Sequence, residues 1–84
     1  MKFSVYILQS VEDKSFYIGF TSNMKQRLEY HNSGKSRYTS RKMPWTIVYE
    51  ELYDTRSEAM KRERFLKKQR NKEFYQLLIY KKSE

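Results

Sequence analysis

Apolar and polar residues alternate in two short segments near the start of the chain, a pattern typical of half-buried strands. Segment 3–8 places Tyr6 on the face opposite its apolar residues, and segment 16–20 does the same with Tyr17. The apolar faces consist of Phe3, Val5, Ile7, Phe16, Ile18 and Phe20. The polar residues 10–15 predict a turn between the two strands. If the strands pair as a hairpin, both tyrosines lie on one face of the sheet, directly across or diagonal from each other.

A helix is predicted to follow the hairpin. Residues 21–23 offer several N-cap side chains, and Gly34 supplies a natural end for a helix that runs to about Ser33. Met24 and Leu28 are four positions apart, so we expect them to form the inward-facing side of this helix.

The segment after this helix is a loop rich in basic and hydroxyl side chains, at 35–42, which Pro44 closes. Residues Trp45 to Tyr53 carry several aromatic and β-branched side chains. Such residues favour a half-buried pleated surface, so they predict a third strand.

The last third of the chain is predicted to be helical. Thr55 and Glu58 fit a capping box and begin a helix over about 56–70. Asn71 can cap a final helix over about 72–80. The inward-facing residues of that final helix are expected to be Phe74, Leu77 and Leu78.

The predicted order β-β-α-β-α-α indicates a small α+β fold with helices packed on a short antiparallel sheet. The chain has 84 residues, the size of one small domain, and we expect residues 1–84 to form a single domain. No segment approaches the ~20 apolar residues that cross a bilayer. We therefore expect no membrane association and a cytoplasmic location.

The charge balance points to a polyanionic partner. Eighteen Lys and Arg against ten Asp and Glu give a net charge of +8, and nucleic acid is the commonest such partner in the cytoplasm. A basic surface that serves solubility alone is the alternative. Since the chain has no cysteine, disulfides, thiolate zinc sites and a cysteine nucleophile are excluded.

Two polar residues of the first helix, Arg27 and His31, are spaced i, i+4 and project from the same side. An arginine binds two phosphate oxygens at once, and a histidine one turn along can relay a proton or bind the same phosphate. The alternative is a solvated helix side with a histidine near the negative end of the helix, where a positive charge is mildly stabilising. On this pair alone, the solvated side is the simpler interpretation.

Glu63 is the only acidic residue within the basic segment 61–72. At about 100° per residue it falls on the apolar side of the second helix, between Ala59 and Leu66. A carboxylate is costly to bury there unless it is paired or bound to a metal. Two explanations remain open: a buried ion pair with an arginine, and a ligand for Mg²⁺, which one or two carboxylates, waters and substrate phosphates can hold.

Two tyrosines, an arginine, a histidine and one carboxylate form a set suited to phosphodiester cleavage. A metal would stabilise the leaving oxygen, and the arginine would offset charge in the transition state. A tyrosine that deprotonates water would need help from the metal or from cations, because its reference pKa is near ~10. We expect the five side chains to line one concave, positively charged surface.

The chain resembles the GIY-YIG nucleases from Phe3 to about Ile79, in particular their small single-domain bacterial members, and is similar to the N-terminal catalytic domain of the excinuclease C subunit. Tyr17-Ile18-Gly19 reproduces the second signature triplet of the family. The first triplet aligns with Ser4-Val5-Tyr6, of which only the tyrosine is literal. The other matching positions, in order and at the expected spacing, are Thr21, Arg27-Leu28, His31-Asn32, Gly34, Glu58-Ala59, Arg62-Glu63 and Lys67-Lys68.

The resemblance implies a three-stranded antiparallel sheet flanked by three helices, with a metal-dependent endonuclease site on one face. Tyr6 and Tyr17 would be the paired active-site tyrosines, and Tyr17 would orient or deprotonate water. Arg27 would contact the scissile phosphate, His31 would assist proton transfer or phosphate binding, and Glu63 would hold one Mg²⁺ or Mn²⁺ ion. The residues expected to support these groups are Gly19 and Asn32.

Two departures from the family qualify the implied activity. Phe20 stands where the excinuclease-type members carry a lysine near the phosphate, so catalysis would use another cation or be weaker. Family nucleases also commonly depend on an appended domain to choose DNA, and here a partner protein would supply specificity. The residues expected to bind nucleic acid, mainly through phosphates, are Lys35, Arg37, Arg41, Lys42, Lys67 and Lys68.

The leading hypothesis is an endonuclease that hydrolyses DNA, favoured over RNA, with one divalent metal and water, in repair or recombination. The first alternative is a nucleic-acid-binding module that kept the fold and the charge but lost useful turnover. It predicts binding that Glu63→Gln does not change. The second alternative is a protein–protein adaptor, which predicts no binding of nucleic acid at ~50 mM salt.

Overall fold

The computed structural model describes residues 2–83 and shows a three-stranded antiparallel sheet flanked by three helices. The strands are β1 (Phe3–Ser10), β2 (Phe16–Thr21) and β3 (Trp45–Tyr53), and the helices are α1 (Met24–Asn32), α2 (Arg56–Gln69) and α3 (Lys72–Ser83). A short 3-10 helix, Thr39–Lys42, forms within the basic loop. The α+β class and the order β-β-α-β-α-α confirm the fold predicted from the sequence.

The sheet has the strand order β2-β1-β3, so β1 is central and β2 lies at an edge. In the hairpin, Tyr6 pairs with Gly19 and Leu8 pairs with Tyr17. Because side chains alternate between faces along each strand, this register puts both tyrosines on the same face. They lie diagonally rather than directly opposite.

Each face of the sheet buries its own apolar cluster. The face that carries Val5 and Ile7 packs against α2 and α3. The buried residues of this larger cluster are Val5, Ile7, Ile18, Tyr49, Ala59, Leu66 and Tyr75. The opposite face buries Tyr6, Leu8 and Trp45, and the half-buried side chains of Tyr17, Met24, Leu28 and Met43 cover them. The tyrosine face is therefore a second small core under α1.

The helix ends carry the capping chemistry predicted from the sequence. The Asn23 side chain accepts a hydrogen bond from the backbone N–H of Gln26 at 3.1 Å and begins α1. Thr55 accepts from the N–H of Glu58 at 3.2 Å and begins α2. After α1 the chain turns at Gly34, whose φ of +83° suits glycine because it has no Cβ.

The final helix differs from the prediction in extent and in orientation. It continues to Ser83 rather than ending near residue 80. Leu77, predicted to face inward, is 54 % exposed, and Tyr75 is buried in its place. The Tyr75 hydroxyl donates to the backbone oxygen of Leu66 at 2.6 Å, and this bond helps to fix the side of α3 that faces α2. Within residues 2–83, no helix combines the length and the apolar character needed to span a bilayer.

Candidate active site

Tyr6 is completely buried at the centre of the sheet, and Gly19 makes room for its ring. A Cβ built on Gly19 would lie 2.5 Å from the Tyr6 hydroxyl oxygen and 2.8 Å from the ring carbon that bears it. No real side chain fits at those distances. The glycine of the Tyr17-Ile18-Gly19 triplet thus leaves the space that the Tyr6 ring occupies across the strand pair.

A chain of hydrogen bonds runs from Arg27 through Tyr6 and His31 to Thr39. The Nε of Arg27 donates to the Tyr6 hydroxyl oxygen at 3.4 Å. That oxygen lies 3.2 Å from Nε2 of His31, and Nδ1 of His31 lies 3.1 Å from Oγ1 of Thr39. Because the guanidinium can only donate, this arrangement leaves the Tyr6 proton available to Nε2 and places the imidazole proton on Nδ1.

Local structure explains why these groups meet. Arg27 and His31 are one turn apart on the side of α1 that packs against the sheet, so both reach Tyr6. Thr39 is held in turn by the indole of Trp45, which donates to the Thr39 backbone oxygen at 2.9 Å. The interpretation of this side of α1 as merely solvated is wrong for His31, which is completely buried.

Asn32, the last residue of α1, makes two hydrogen bonds to the backbone of Trp45. Its side-chain oxygen accepts from the backbone N–H of Trp45 at 2.7 Å, and its amide nitrogen donates to the Trp45 backbone oxygen at 3.1 Å. The two bonds join the end of α1 to the first residue of β3. Asn32 therefore positions His31 and Trp45 together.

Burial and Arg27 together set the protonation of the network. Burial, and then the positive charge of Arg27, lower the pKa of His31 to about 4, so the imidazole is neutral at pH 7. Burial raises the pKa of Tyr6, although the hydrogen bond from Arg27 opposes that shift. The hydrogen bond to Tyr6 raises the pKa of Arg27, and interaction with Tyr17 adds to the effect. The resting site is a neutral phenol and a neutral imidazole beside a permanent cation.

Tyr17 is half-buried and borders both the network and the surface. Its ring centroid lies 4.7 Å from that of His31 and 6.1 Å from that of Trp45. On its other side it neighbours the exposed ring of Tyr38, at 6.1 Å. Of the two tyrosines, Tyr17 is therefore the one that solvent can reach.

Arg27 connects the buried network to an open cleft. Its hydrogen bond to Tyr6 uses one of five N–H donors, and its guanidinium carbon lies 4.9 Å from the centre of the Tyr30 ring. The half-buried arginine also lines a surface cleft of about 530 Å³. The other residues of this cleft are Thr21, Gln26, Glu29, Tyr30, Ser33 and Lys35.

Glu63 lies on the side of α2 that packs on the sheet, between the buried Ala59 and Leu66. Its side chain is 20 % exposed, and in the part of the chain that the structure describes its ion pair is with Lys67, at 3.7 Å. The explanation by an ion pair with an arginine is wrong, since Arg62 pairs instead with Glu51, at 2.9 Å. Burial is the main cause that raises the pKa of Tyr6, and the negative charge of Glu63 makes the smallest contribution in the same direction.

The six basic residues expected to bind nucleic acid fall into two groups. Lys35, Arg37 and Arg41 are exposed in the basic loop, whereas Lys42 is half-buried and pairs with Asp13 at 3.3 Å. On α2, Lys67 and Lys68 are exposed. Lys42 and Lys67 thus have acidic partners, whereas within residues 2–83 the other four make no ion pair.

The structure brings four of the five predicted site residues into contact with one another, but two of them are buried rather than exposed on a surface. The contacting residues are Tyr6, Tyr17, Arg27 and His31. Within residues 2–83, Glu63 makes no hydrogen bond or ion pair with them. The prediction that all five line one concave surface is wrong for Tyr6 and His31, because both side chains are completely buried.

Thr39, the partner of His31, is not among the residues predicted from the sequence. A hydroxyl in a loop rich in serine and threonine carries no individual signal, so only the folded loop identifies it.

The side chains that could bind the metal ion implied by the family resemblance are few. Among residues 2–83, no group of three or more His, Asp or Glu side chains is placed to hold a metal ion. Such a lack of clustered ligands does not suit zinc, which takes three or four protein ligands. Glu63 offers a half-buried carboxylate paired with the exposed Lys67 at 3.7 Å, and this fits an Mg²⁺ or Mn²⁺ ion whose other ligands are waters and substrate phosphate.

Known proteins are similar to this chain in sequence and in fold. Residues 2–76 match the family model described as the GIY-YIG catalytic domain. A UPF0213 protein of Staphylococcus haemolyticus is 43 % identical over 63 residues, which cover 74 % of this chain and 76 % of that protein. A UPF0213 protein of Syntrophus aciditrophicus is 42 % identical over 76 residues, covering 88 % of this chain and 86 % of the relative.

The fold is similar to a solved structure of the same kind. The solution NMR structure of the UPF0213 protein BH0048 from Bacillus halodurans matches with a TM-score of 0.58 and 33 % identity. The match covers 93 % of this chain and 83 % of that one.

Proposed function

The chain belongs to the GIY-YIG family, and from that membership we propose that it is an endonuclease that hydrolyses DNA phosphodiester bonds with one divalent metal ion. The main observation in support of this proposal concerns Arg27. This residue donates a hydrogen bond to the buried Tyr6 and also lines an open cleft. A phosphate that enters this cleft meets a permanent cation with N–H donors to spare. Such a donor stabilises the charge that develops on a phosphoryl group in the transition state.

Tyr17 is the residue we propose to orient the attacking water. It is the tyrosine that reaches the surface, and it interacts with Arg27, the residue proposed to bind the phosphate. Tyr6 is less suited to this role because it is completely buried and its pKa is raised, mainly by burial.

We propose that His31 positions Tyr6 through a hydrogen bond and does not take its proton. The lowered pKa of His31, about 4, and the raised pKa of Tyr6 make proton transfer between them strongly unfavourable in the resting site. The imidazole also has both nitrogens engaged by hydroxyl groups. It fixes Tyr6 and, through Tyr6, the direction of the Arg27 guanidinium.

Glu63 is the residue we propose to hold the metal, with waters and phosphate oxygens as the remaining ligands. When bound, the ion would polarise the phosphate and stabilise the leaving oxygen. Lys67, 3.7 Å from the carboxylate, would release Glu63 to the ion and keep positive charge nearby. The half-buried position limits the rotamers of Glu63 and so fixes the direction of its carboxylate.

Phe20, which replaces the lysine of excinuclease-type members, has a cation beside it. The guanidinium carbon of Arg56 lies 5.5 Å from the centre of the Phe20 ring. Arg56 also lines a shallow surface hollow with the cations Lys61 and Arg64. We propose that Arg56 supplies the charge that the missing lysine provides elsewhere in the family.

A binding module without turnover is the second candidate, since no group of three or more candidate ligands within residues 2–83 is placed to hold a metal ion. The two candidates separate in one experiment. Purified protein is incubated with end-labelled branched, nicked and single-stranded DNA in Mg²⁺ or Mn²⁺, with a chelator as control, and both binding and cleavage are measured. Metal-dependent cleavage of any substrate supports the endonuclease. Salt-sensitive binding with no cleavage at any metal concentration contradicts it.

A further inference from the structure

Tyr38 is an exposed aromatic residue surrounded by cations. Its side chain is 52 % exposed, and it lines a surface hollow of about 470 Å³ with Arg37, Arg41 and Lys42. A hollow of this size falls within the range of small-ligand sites. The tyrosine ring supplies its aromatic surface, and the three basic residues supply positive charge.

The Tyr38 ring is held in place by Lys42, which is bound to the turn between β1 and β2. The Lys42 ammonium lies 5.2 Å from the centre of the Tyr38 ring. Lys42 is itself fixed, because it pairs with Asp13 at 3.3 Å and donates to the Ser15 hydroxyl at 3.4 Å. An exposed ring that is already positioned loses little conformational entropy when a ligand stacks on it.

The hollow adjoins the candidate active site. Tyr38 lies 6.1 Å from Tyr17, centre to centre, with 33° between the ring planes. Tyr17 in turn lies 4.7 Å from His31. A ligand on Tyr38 would therefore sit one aromatic ring away from the network that holds Arg27.

We propose that Tyr38 is a nucleobase-stacking residue, which binds an unpaired base of a DNA strand next to the phosphodiester held by Arg27. The assignment of the strand to DNA and of the adjacent bond to cleavage rests on the proposed function. Every base offers a flat π-face, and the phosphates that flank it match Arg37 and Arg41. An apolar peptide would bury those two guanidinium groups without partners, at a high cost.

The test measures binding of single-stranded DNA in the presence of a chelator, so that no cleavage is needed. A labelled oligonucleotide is compared by fluorescence anisotropy with a series in which one base at a time is removed to leave an abasic sugar. For the unmodified protein, we expect one position at which loss of the base weakens binding by roughly 5- to 150-fold, the range for one stacked base.

Three variants assign that effect to Tyr38. Tyr38→Ala should weaken binding of the intact strand and abolish the difference at the abasic position, whereas Tyr38→Phe should keep both. Phe65→Ala, at an aromatic of similar exposure on α2 (47 %), should leave both unchanged. If Tyr38→Ala still discriminates the abasic strand as the unmodified protein does, the inference is wrong.

Cleavage with Mg²⁺ or Mn²⁺ is scored separately from binding. If the protein cleaves DNA while Tyr38→Ala binds normally, the stacking site is overturned and the endonuclease stands. If binding depends on Tyr38 and the base but no cleavage occurs, the stacking site stands and the endonuclease fails.

Discussion

Gly19 lies directly across the β1–β2 ladder from Tyr6, so close that a Cβ on Gly19 would stand 2.5 Å from the Tyr6 hydroxyl oxygen. The glycine of the second signature triplet thus makes room for the tyrosine of the first triplet. Since Tyr6 also contacts Arg27 and His31, the fit between a glycine and a phenol ring sets the geometry of the whole network.

Gly19→Ala should therefore disturb both stability and cleavage. The added methyl group must push the Tyr6 ring aside, which we expect to lower the free energy of unfolding by about 1–3 kcal/mol, the usual cost of overpacking. Urea unfolding and single-turnover cleavage measure the two effects. Gly34→Ala is the matched control: it should cost stability through its positive φ, but it meets only Met43 at 3.9 Å and should leave cleavage by folded protein unchanged. Equal cleavage by the two variants would contradict the role of Gly19.

Asn32 should show a graded effect on stability. Asn32→Ala leaves the backbone N–H and C=O of Trp45 without their partners, and we expect a loss of about 1–3 kcal/mol. Asn32→Asp keeps the acceptor for the N–H and loses the donor to the C=O, so its cost should be smaller. Urea unfolding monitored by fluorescence of Trp45, which is 2 % exposed, measures both. Equal stability of the three proteins would show that these bonds contribute nothing.

His31 should make stability depend on pH in the acid range. Its pKa is about 4 in the fold, where burial is the main cause, and 6.5 in its ordinary state. Between these values the unfolded chain binds more protons, so the free energy of unfolding should fall as the pH falls from 6.5 towards 4, by up to about 3 kcal/mol. His31→Gln has no group to titrate there, so its profile should be flatter by that amount. Parallel profiles for the two proteins would contradict a buried neutral imidazole.

Arg56 should contribute to the rate of cleavage through its charge. We expect Arg56→Ala to slow single-turnover cleavage at saturating DNA by about 10-fold, which corresponds to roughly 1.4 kcal/mol of transition-state stabilisation. Arg56→Lys keeps a cation at that place and should restore most of the rate. Arg64→Ala, in the same surface hollow, should weaken binding without changing the saturated rate. A normal rate for Arg56→Ala would mean that another group replaces the missing lysine.

Much of the fold follows from local rules that the sequence obeys. Strict alternation around Tyr6 and Tyr17 predicts two strands with both phenols on one face, and the structure confirms this. Side chains that can cap helices, such as Thr55, mark where helices begin. These signals are readable because each depends on neighbours within a few positions along the chain.

The features that could not be predicted from the sequence depend on contacts between segments that are far apart along the chain. The burial of Tyr6 and His31 results from α1 packing over the tyrosine face, which periodicity alone does not predict. Thr39 becomes a partner of His31 only because the basic loop folds back on the end of α1. The exchange of Leu77 for Tyr75 in the core reflects the rotation of α3, which a hydrogen bond to Leu66 helps to fix. Sequence patterns predicted candidate site residues but not which of them reach solvent.

We propose that Glu63 holds a catalytic metal ion, and a comparison of two glutamine variants tests this role. Glu63→Gln keeps the size of the side chain and removes the charge that binds the ion. The matched control is Glu58→Gln on the same helix, where glutamine also suits the capping box. Metal-dependent cleavage of DNA and binding of the same DNA are measured for both variants.

We expect Glu63→Gln to bind DNA as the unmodified protein does but to cleave it at least about 100-fold more slowly, since the metal contributes several kcal/mol to the transition state. Glu58→Gln should cleave normally. If Glu63→Gln cleaves as fast as Glu58→Gln, Glu63 does not hold the metal and this account of the site is wrong.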